Sequence, residues 1–342
     1  MSHLVTNNLV TMASRLKITA SHLATGVAPA QAAAPVENVV VTFGEIMARM
    51  AAPGFLRLRQ TRDFEVTYAG AEASVAASVT TFGGKTRYVT ALPANNPLAD
   101  ATEDSVRLIG VDASCILRTE TGRLGLYFLE TGANQRPSTV VYDRADSAIS
   151  ITPADAYDWD AAFENACWLH LSGITPAISE IAANATLVAA QKAKAAGCQV
   201  SIDLNFRGNL WNWEPGTDAR TLCQRTMREI LPFVDFIVGN EEDCFDVLGI
   251  RAGDTDVDSG EIDTARYPDV ARQVVAQFPN VSRVAVTLRE SYSATHNNWG
   301  AMLYIAADDA AYFAPLDVRH KQAAPTHSFI CVHLSTCCLR WP

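Results

Sequence analysis

Three short strings concentrate the groups that could do chemistry. In Asp203-Leu204-Asn205-Phe206-Arg207, an amide and a guanidinium follow an apolar run, and a planar guanidinium can hold a carboxylate through two parallel hydrogen bonds. The same residues would equally make an ordinary surface arginine paired with Asp203. In Gly239-Asn240-Glu241-Glu242-Asp243, three carboxylates bunch where a helix could begin, a place where the helix dipole favours negative charge. Mg2+ is often held by a few carboxylates together with waters and phosphates, so this string is either an acidic helix start or the approach to a metal. In Ala69-Gly70-Ala71-Glu72-Ala73-Ser74, most positions project nothing larger than a methyl group, which lets the backbone come close to a ligand or to another helix. Tyr127, Tyr142 and Arg144 add an amphipathic set able to cover a polar ligand.

Strands and helices must hold these groups. Val39–Phe43 is β-branched and aromatic and stops at Gly44, as a buried strand does. Residues 64–68 alternate apolar and polar, and a small-residue helix runs on from Gly70 through Val79 to the stop at Gly83 and Gly84. Residues 166–171 read as a short buried strand, 178–196 as an Ala-rich helix ended by Gly197, and 199–204, 236–238 and 284–288 as further strands. Such alternation implies a mostly parallel sheet with helices on both faces, and sheets of this kind bind ligands beyond the carboxyl ends of their strands. Asn205 with Arg207, Asn240 with Asp243, and Arg289 each fall just past such an end. Between Gly122 and Asp143 the texture changes. Residues 126–129 and 139–142 flank a turn region from Gly132 to Pro137, a hairpin that could join residues 64–68 in a small antiparallel sheet.

Composition narrows the class. The chain has 342 residues, a net charge of −10, 49% hydrophobic residues and 19% charged residues, which excludes disordered and fibrous proteins and suits one large or two ordinary domains. An acidic chain with no Lys/Arg cluster lacks the basic face that a nucleic acid needs, so nucleic acid is not an expected partner. No apolar run reaches the ~18–20 residues that cross a bilayer, so no membrane partner is expected either. Of the eight cysteines, Cys115, Cys167, Cys198, Cys223 and Cys244 are scattered singly. That is the pattern of small buried hydrophobes in a reducing, cytoplasmic setting rather than of a disulfide framework. Residues 1–37 read as a disordered or mis-started extension, with an organellar presequence as the other option.

Longer strings carry a family resemblance: Thr42-Phe43-Gly44-Glu45-Ile46-Met47, Gly125-Leu126-Tyr127-Phe128-Leu129-Glu130 with Val141-Tyr142-Asp143-Arg144, and Thr287-Leu288-Arg289-Glu290, besides the two strand-end strings above. From about Asn38 to Tyr312 the chain resembles the ribokinase-like (PfkB) carbohydrate kinases, and among them the kinases of 2-keto-3-deoxygluconate. The resemblance implies an α/β fold, a three-layer α/β/α sandwich with a small β-sheet lid. The kinase domain would be residues 38–317, with the lid from about 48–68 and 123–146. A sugar acid would be lined by Glu45, Gly70, Tyr127, Tyr142, Arg144, Asn205 and Arg207, with Arg144 and Arg207 taking its carboxylate. ATP would be met by Asn240, Thr287 and Arg289, and Mg2+ organised through water by Asn240 and Asp243. An exposed apolar lid face would need a cover, so a homo-oligomer through the lid is expected.

The chain also departs from the family pattern. Asp243 stands where the family has Glu, and Ala69-Gly70 with Ser74 stands where it commonly has Gly-Gly and an Asn. The family's Gly-Ala-Gly-Asp-type turn, whose amides cradle the transferring phosphoryl group and whose Asp accepts the sugar's proton, has no counterpart string, so no catalytic residue is assigned. Residues 318–342 contain no Asp or Glu and read as an aberrant tail, with the C-terminal part of the fold missing. The expectation is an ATP-dependent 2-keto-3-deoxygluconate kinase, impaired as written. A fructokinase or other sugar kinase, or a non-catalytic sugar-acid-binding remnant, are the alternatives.

Overall fold

The computed structural model describes residues 38–250, 267–293, 296–314 and 318–320. The extension expected over 1–37 and the tail beyond residue 320 lie outside the described residues. β1 (Val39–Phe43) leads into β2 (Met47–Ala51) and β3 (Glu65–Ala69), then α1 (Ala71–Thr81), β4 (Lys85–Pro93), α2 (Pro97–Leu108) and β5 (Ile116–Thr119). The hairpin β6 (Leu126–Glu130) and β7 (Thr139–Asp143) follows, then the short helices α3 (Ala148–Ile151) and α4 (Trp159–Ala162). Next come β8 (Ala166–Ser172), α5 (Ile174–Ala177), α6 (Glu180–Ala195), β9 (Gln199–Asp203), α7 (Ala219–Ile230), β10 (Phe236–Gly239) and α8 (Glu241–Leu248). The last elements are α9 (Tyr267–Gln277), β11 (Arg283–Ser293), β12 (His296–Ile305), β13 (Ala310–Phe313) and β14 (Val318–His320).

The main sheet has the order β13-β12-β11-β10-β9-β8-β1-β4-β5, with β14 also on β12. From β11 to β5 every neighbouring pair is parallel. Parallel strands covered on both faces read as unbroken apolar runs, and β1 is buried at all five positions. At β11 the pattern changes, because the chain turns straight back into β12 without a crossover helix and the pairing becomes antiparallel. β14 joins the far edge through β12, where Val318 pairs with Trp299.

Small side chains let the covering helices lie close to the sheet. Ala182, Ala185, Ala189, Ala190 and Ala193 of α6 are fully buried, and Ser179 caps the helix by accepting from the Ala182 amide at 3.0 Å. Below β1, the ring of Phe43 meets Tyr157 and Trp159 edge-on, each at 5.3 Å between centroids. Among the described residues no helix is long and apolar enough to cross a membrane. Of the five scattered cysteines, Cys198, Cys223 and Cys244 are buried as expected and Cys115 and Cys167 only half-buried, and none of the five is in a disulfide.

A second sheet forms the lid, in the order β3-β2-β6-β7. It corrects the expected antiparallel arrangement. β2 sits between β3 and β6 and runs parallel to β6, with Ala48 opposite Leu126. Met47-Ala48-Arg49-Met50-Ala51 does not alternate apolar and polar, so the period-2 signal that marks β3 is missing from it. The chain passes between the two sheets at four places, after β1, after β3, before β6 and after β7, and the polar groups of interest gather at these crossings.

Candidate active site

Glu45 follows β1 and Arg144 follows β7, and the two form an ion pair with side chains only 3% and 8% exposed. The pair therefore ties two of the four crossings together, with little solvent screening. The Arg144 guanidinium lies 5.5 Å from the centroid of the Tyr142 ring, whose own centroid is 6.0 Å from that of Tyr127. At the start of α1, a Cβ on Gly70 would fall on the Glu45 carbonyl oxygen, so only glycine permits this approach. Glu45, Gly70, Tyr127, Tyr142 and Arg144 are thus brought together. Arg144, expected to take a ligand carboxylate, is paired here with Glu45. A guanidinium this deeply buried cannot stay unpaired, because desolvating a lone charge costs several kcal/mol. The match is incomplete, since Glu45 Oε1 and Arg144 Nε are buried without hydrogen-bond partners.

A second group lies at the ends of β9 and β10. Asn205 holds a left-handed backbone, φ 38°, which Asn tolerates better than most side chains, and its amide Nδ2 donates to Ser172 Oγ at 3.3 Å. Asn240 opens α8 by accepting from the Asp243 amide at 2.7 Å, while Asp243 Oδ2 accepts from the Asn240 amide at 3.2 Å. The other oxygen of Asp243 accepts from the Phe206 amide at 2.9 Å, so this carboxylate latches the loop after β9 to the start of α8. Arg207 belongs to this second group. It is exposed, its Nη1 donates to the Phe206 carbonyl at 2.8 Å, and among the described residues it has no ion-pair partner. Gly239 is paired with Val286, so Asn240 and Thr287 emerge at the same level on adjacent strands. Arg289 lies two residues further along β11, and its side chain is outside the described part.

Two buried carboxylates within the strings, Glu72 and Asp203, which were given no site role, connect these groups. Thr175, just beyond β8, donates to Glu72 Oε1 at 2.7 Å, and a Cβ on Gly44 would fall inside the Glu72 carboxylate. Burial pushes the Glu72 carboxyl up to about 7, against the downward pull of the Thr175 hydrogen bond. Burial, reinforced by the charge of Asp243, pushes Asp203 up to about 8. Asp243 is itself raised by burial, against the pull of its two amide donors. Glu72 could have been found from its spacing, because it shares one helix face with the buried Val75, Ala76 and Val79. Ser74, which stands where the family commonly has an Asn, donates back to the Gly70 carbonyl at 2.7 Å.

Among the described residues no three His, Cys, Asp or Glu side chains converge as a ligand set for a metal. Each oxygen of Asp243 accepts from a backbone amide. What the row can do is bind polar groups. It runs along the carboxyl ends of β1, β8, β9 and β10, and a lid carries two tyrosines and an arginine beside it.

Comparison with known proteins agrees with this layout. A solved 2-dehydro-3-deoxygluconokinase from Thermotoga maritima is 41% identical, with a TM-score of 0.74, over 81% of this chain and 80% of that one. A putative 2-keto-3-deoxygluconate kinase from Enterococcus faecalis is 25% identical, with a TM-score of 0.75, over 89% of this chain and 86% of that one. Among curated relatives, a 2-dehydro-3-deoxygalactonokinase from Haloferax volcanii is 35% identical over 61% of this chain and 63% of its own length. A 2-dehydro-3-deoxygluconokinase from Bacillus subtilis is 30% identical over 50% of this chain and 52% of its own length. The chain thus spans less than two thirds of either curated relative. Residues 37–265 match the model of the pfkB family carbohydrate kinases, a span that takes in the lid, the buried ion pair and the latch at Asp243, and the chain belongs to that family.

Proposed function

We infer that the chain is built to bind a 2-keto-3-deoxy sugar acid, first of all 2-keto-3-deoxygluconate, between the main sheet and the lid. The reaction would move the γ-phosphoryl group of Mg·ATP to the sugar's primary hydroxyl. The observation that carries the substrate class is the pair of guanidinium groups at the strand ends. Arg144 sits in the lid junction and Arg207 stands free on the loop after β9. The relatives named for 2-dehydro-3-deoxy acids support the same class. In this reading the carboxylate of the sugar lies between Arg207 and Arg144, displacing part of the hold that Glu45 has on Arg144. Tyr127 and Tyr142 cover the sugar, and Asn205, fixed by Ser172, orients one of its hydroxyls. Mg2+ arrives on the phosphates of ATP, beside Asn240 and Thr287, as part of the substrate. A homodimer through the exposed outer strand β7 belongs to the same reading, as does a cytoplasmic location.

The 342-residue polypeptide contains no Gly-Ala-Gly-Asp string. General-base catalysis contributes ~10²–10⁴-fold and one oxyanion-type donor ~10²–10³-fold, so turnover should fall several orders of magnitude below the ~1–100 s⁻¹ usual for kinases. A coupled ADP assay with Mg·ATP tests both statements. The expected result is slow ADP release that depends on 2-keto-3-deoxygluconate and exceeds the rate with fructose. Faster release with fructose would overturn the substrate class, and turnover within the usual kinase range would overturn the impairment.

A further inference from the structure

Glu72 is 1% exposed, in the first turn of α1, and its carboxylate fills the space that glycine leaves at position 44. A charged side chain is not needed there for packing, because the neighbouring positions on that face are Val75, Ala76 and Val79. Among the described residues, its carboxylate accepts a side-chain hydrogen bond from Thr175. Four groups from other elements interact with it electrostatically: Glu45 after β1, Arg144 after β7, Tyr88 on β4 and Asp203 at the end of β9. Tyr88 is fixed as a neutral phenol donating to the Gly44 carbonyl at 2.7 Å. Arg144 is the one cation in this set, so its charge is shared by every carboxylate that ionises around it.

Resting on the sugar-acid reading above, we propose that Glu72 is a positioning residue of the sugar site, a buried carboxyl whose protonation state sets how freely Arg144 can receive an anionic sugar. With Glu72 protonated, Glu45 and Arg144 balance each other, and an incoming carboxylate meets a neutral junction. With Glu72 ionised, the junction carries one more negative charge against the same guanidinium, and the anion is repelled. Burial moves this change into the neutral range, while the Thr175 hydrogen bond and the N-terminal position on α1 pull it back down. Affinity for the sugar acid should therefore fall as pH rises through about 7.

The test compares wild type with Glu72→Gln, which keeps an oxygen for Thr175 and cannot ionise. Without any sugar, thermal midpoints are followed from pH 5.5 to 8.5. A carboxyl raised in the folded state holds a proton that the unfolded chain has already lost, so stability drains away as pH rises towards the folded value. The midpoint of wild type should drop relative to Glu72→Gln by about 4–8 °C across this range. In the second arm, calorimetric titration with 2-keto-3-deoxygluconate should show wild-type affinity falling about tenfold over the same range, while that of the variant does not. Thr175→Val should move the wild-type fall to higher pH, which keeps the test open if Glu72→Gln folds poorly. A packing role alone would lower affinity by the same factor at every pH. Parallel pH profiles in wild type and variant, in either arm, would overturn the role of Glu72. If neither protein binds the sugar acid at any pH, the substrate reading fails, and the sugar-free arm still decides whether Glu72 titrates.

Discussion

Replacing Arg144 with methionine keeps most of the side-chain bulk and removes the cation from a carboxylate that is 3% exposed. Taking one partner from a buried ion pair costs about 3–5 kcal/mol, because the remaining charge is left in a low-dielectric site. The geometry favours the lower end. Glu45 Oε1 and Arg144 Nε already lack partners, and each unsatisfied buried polar atom costs about 1–3 kcal/mol, so the intact pair is not fully stabilising to begin with. The expected loss is therefore about 3 kcal/mol for Arg144→Met, measured by urea unfolding at pH 7. Adding Glu45→Gln removes the stranded charge, and the double variant should recover about half of that loss, about 1.5 kcal/mol. A single variant within 1 kcal/mol of wild type, or a double variant less stable than Arg144→Met alone, would refute the assignment of this pair as a buried junction between lid and sheet.

Three further outcomes follow from other contacts. Gly44→Ala places a methyl group inside the Glu72 carboxylate and should cost at least ~2 kcal/mol in the same unfolding assay, whereas Gly83→Ala, where space is open, should cost less despite its positive φ. Asp243→Ala removes the acceptor for the Phe206 and Asn240 amides and should lower stability by about 2–4 kcal/mol, with faster hydrogen exchange at Phe206 as the local readout. Val141 is 49% exposed on the outer lid strand, so light scattering should report a dimer for wild type and a monomer for Val141→Asp. A monomeric wild type at high micromolar concentration would remove the lid interface.

The parallel layers were legible because their strands are buried on both faces and their helices end in glycines, as at β1 with Gly44 and at α6 with Gly197. The positions past the strand ends were legible for a related reason. Residues just past a parallel strand are the ones a ligand meets, and Asn205, Arg207 and Asn240 lie there. β2 was not legible, since its five residues carry no period and its partners are set by the distant β6. The state of Arg144 was hidden for the same reason, because its partner lies 99 residues earlier and only the folded crossing brings them together. Glu72 was legible in principle from its place in a buried 3.6-residue pattern, yet nothing local reveals that Thr175 and Gly44 would close around it. Asp243 shows the same limit, since its bond to the Phe206 amide joins segments 37 residues apart.

Calorimetric titration of 2-keto-3-deoxygluconate into wild type and Arg207→Ala tests the sugar-acid site most directly. A half-made contact between carboxylate and guanidinium costs about 2–5 kcal/mol, so the variant should bind the sugar acid more than tenfold more weakly, with ATP affinity nearly unchanged. Equal affinity of the two proteins for the sugar acid would contradict the account.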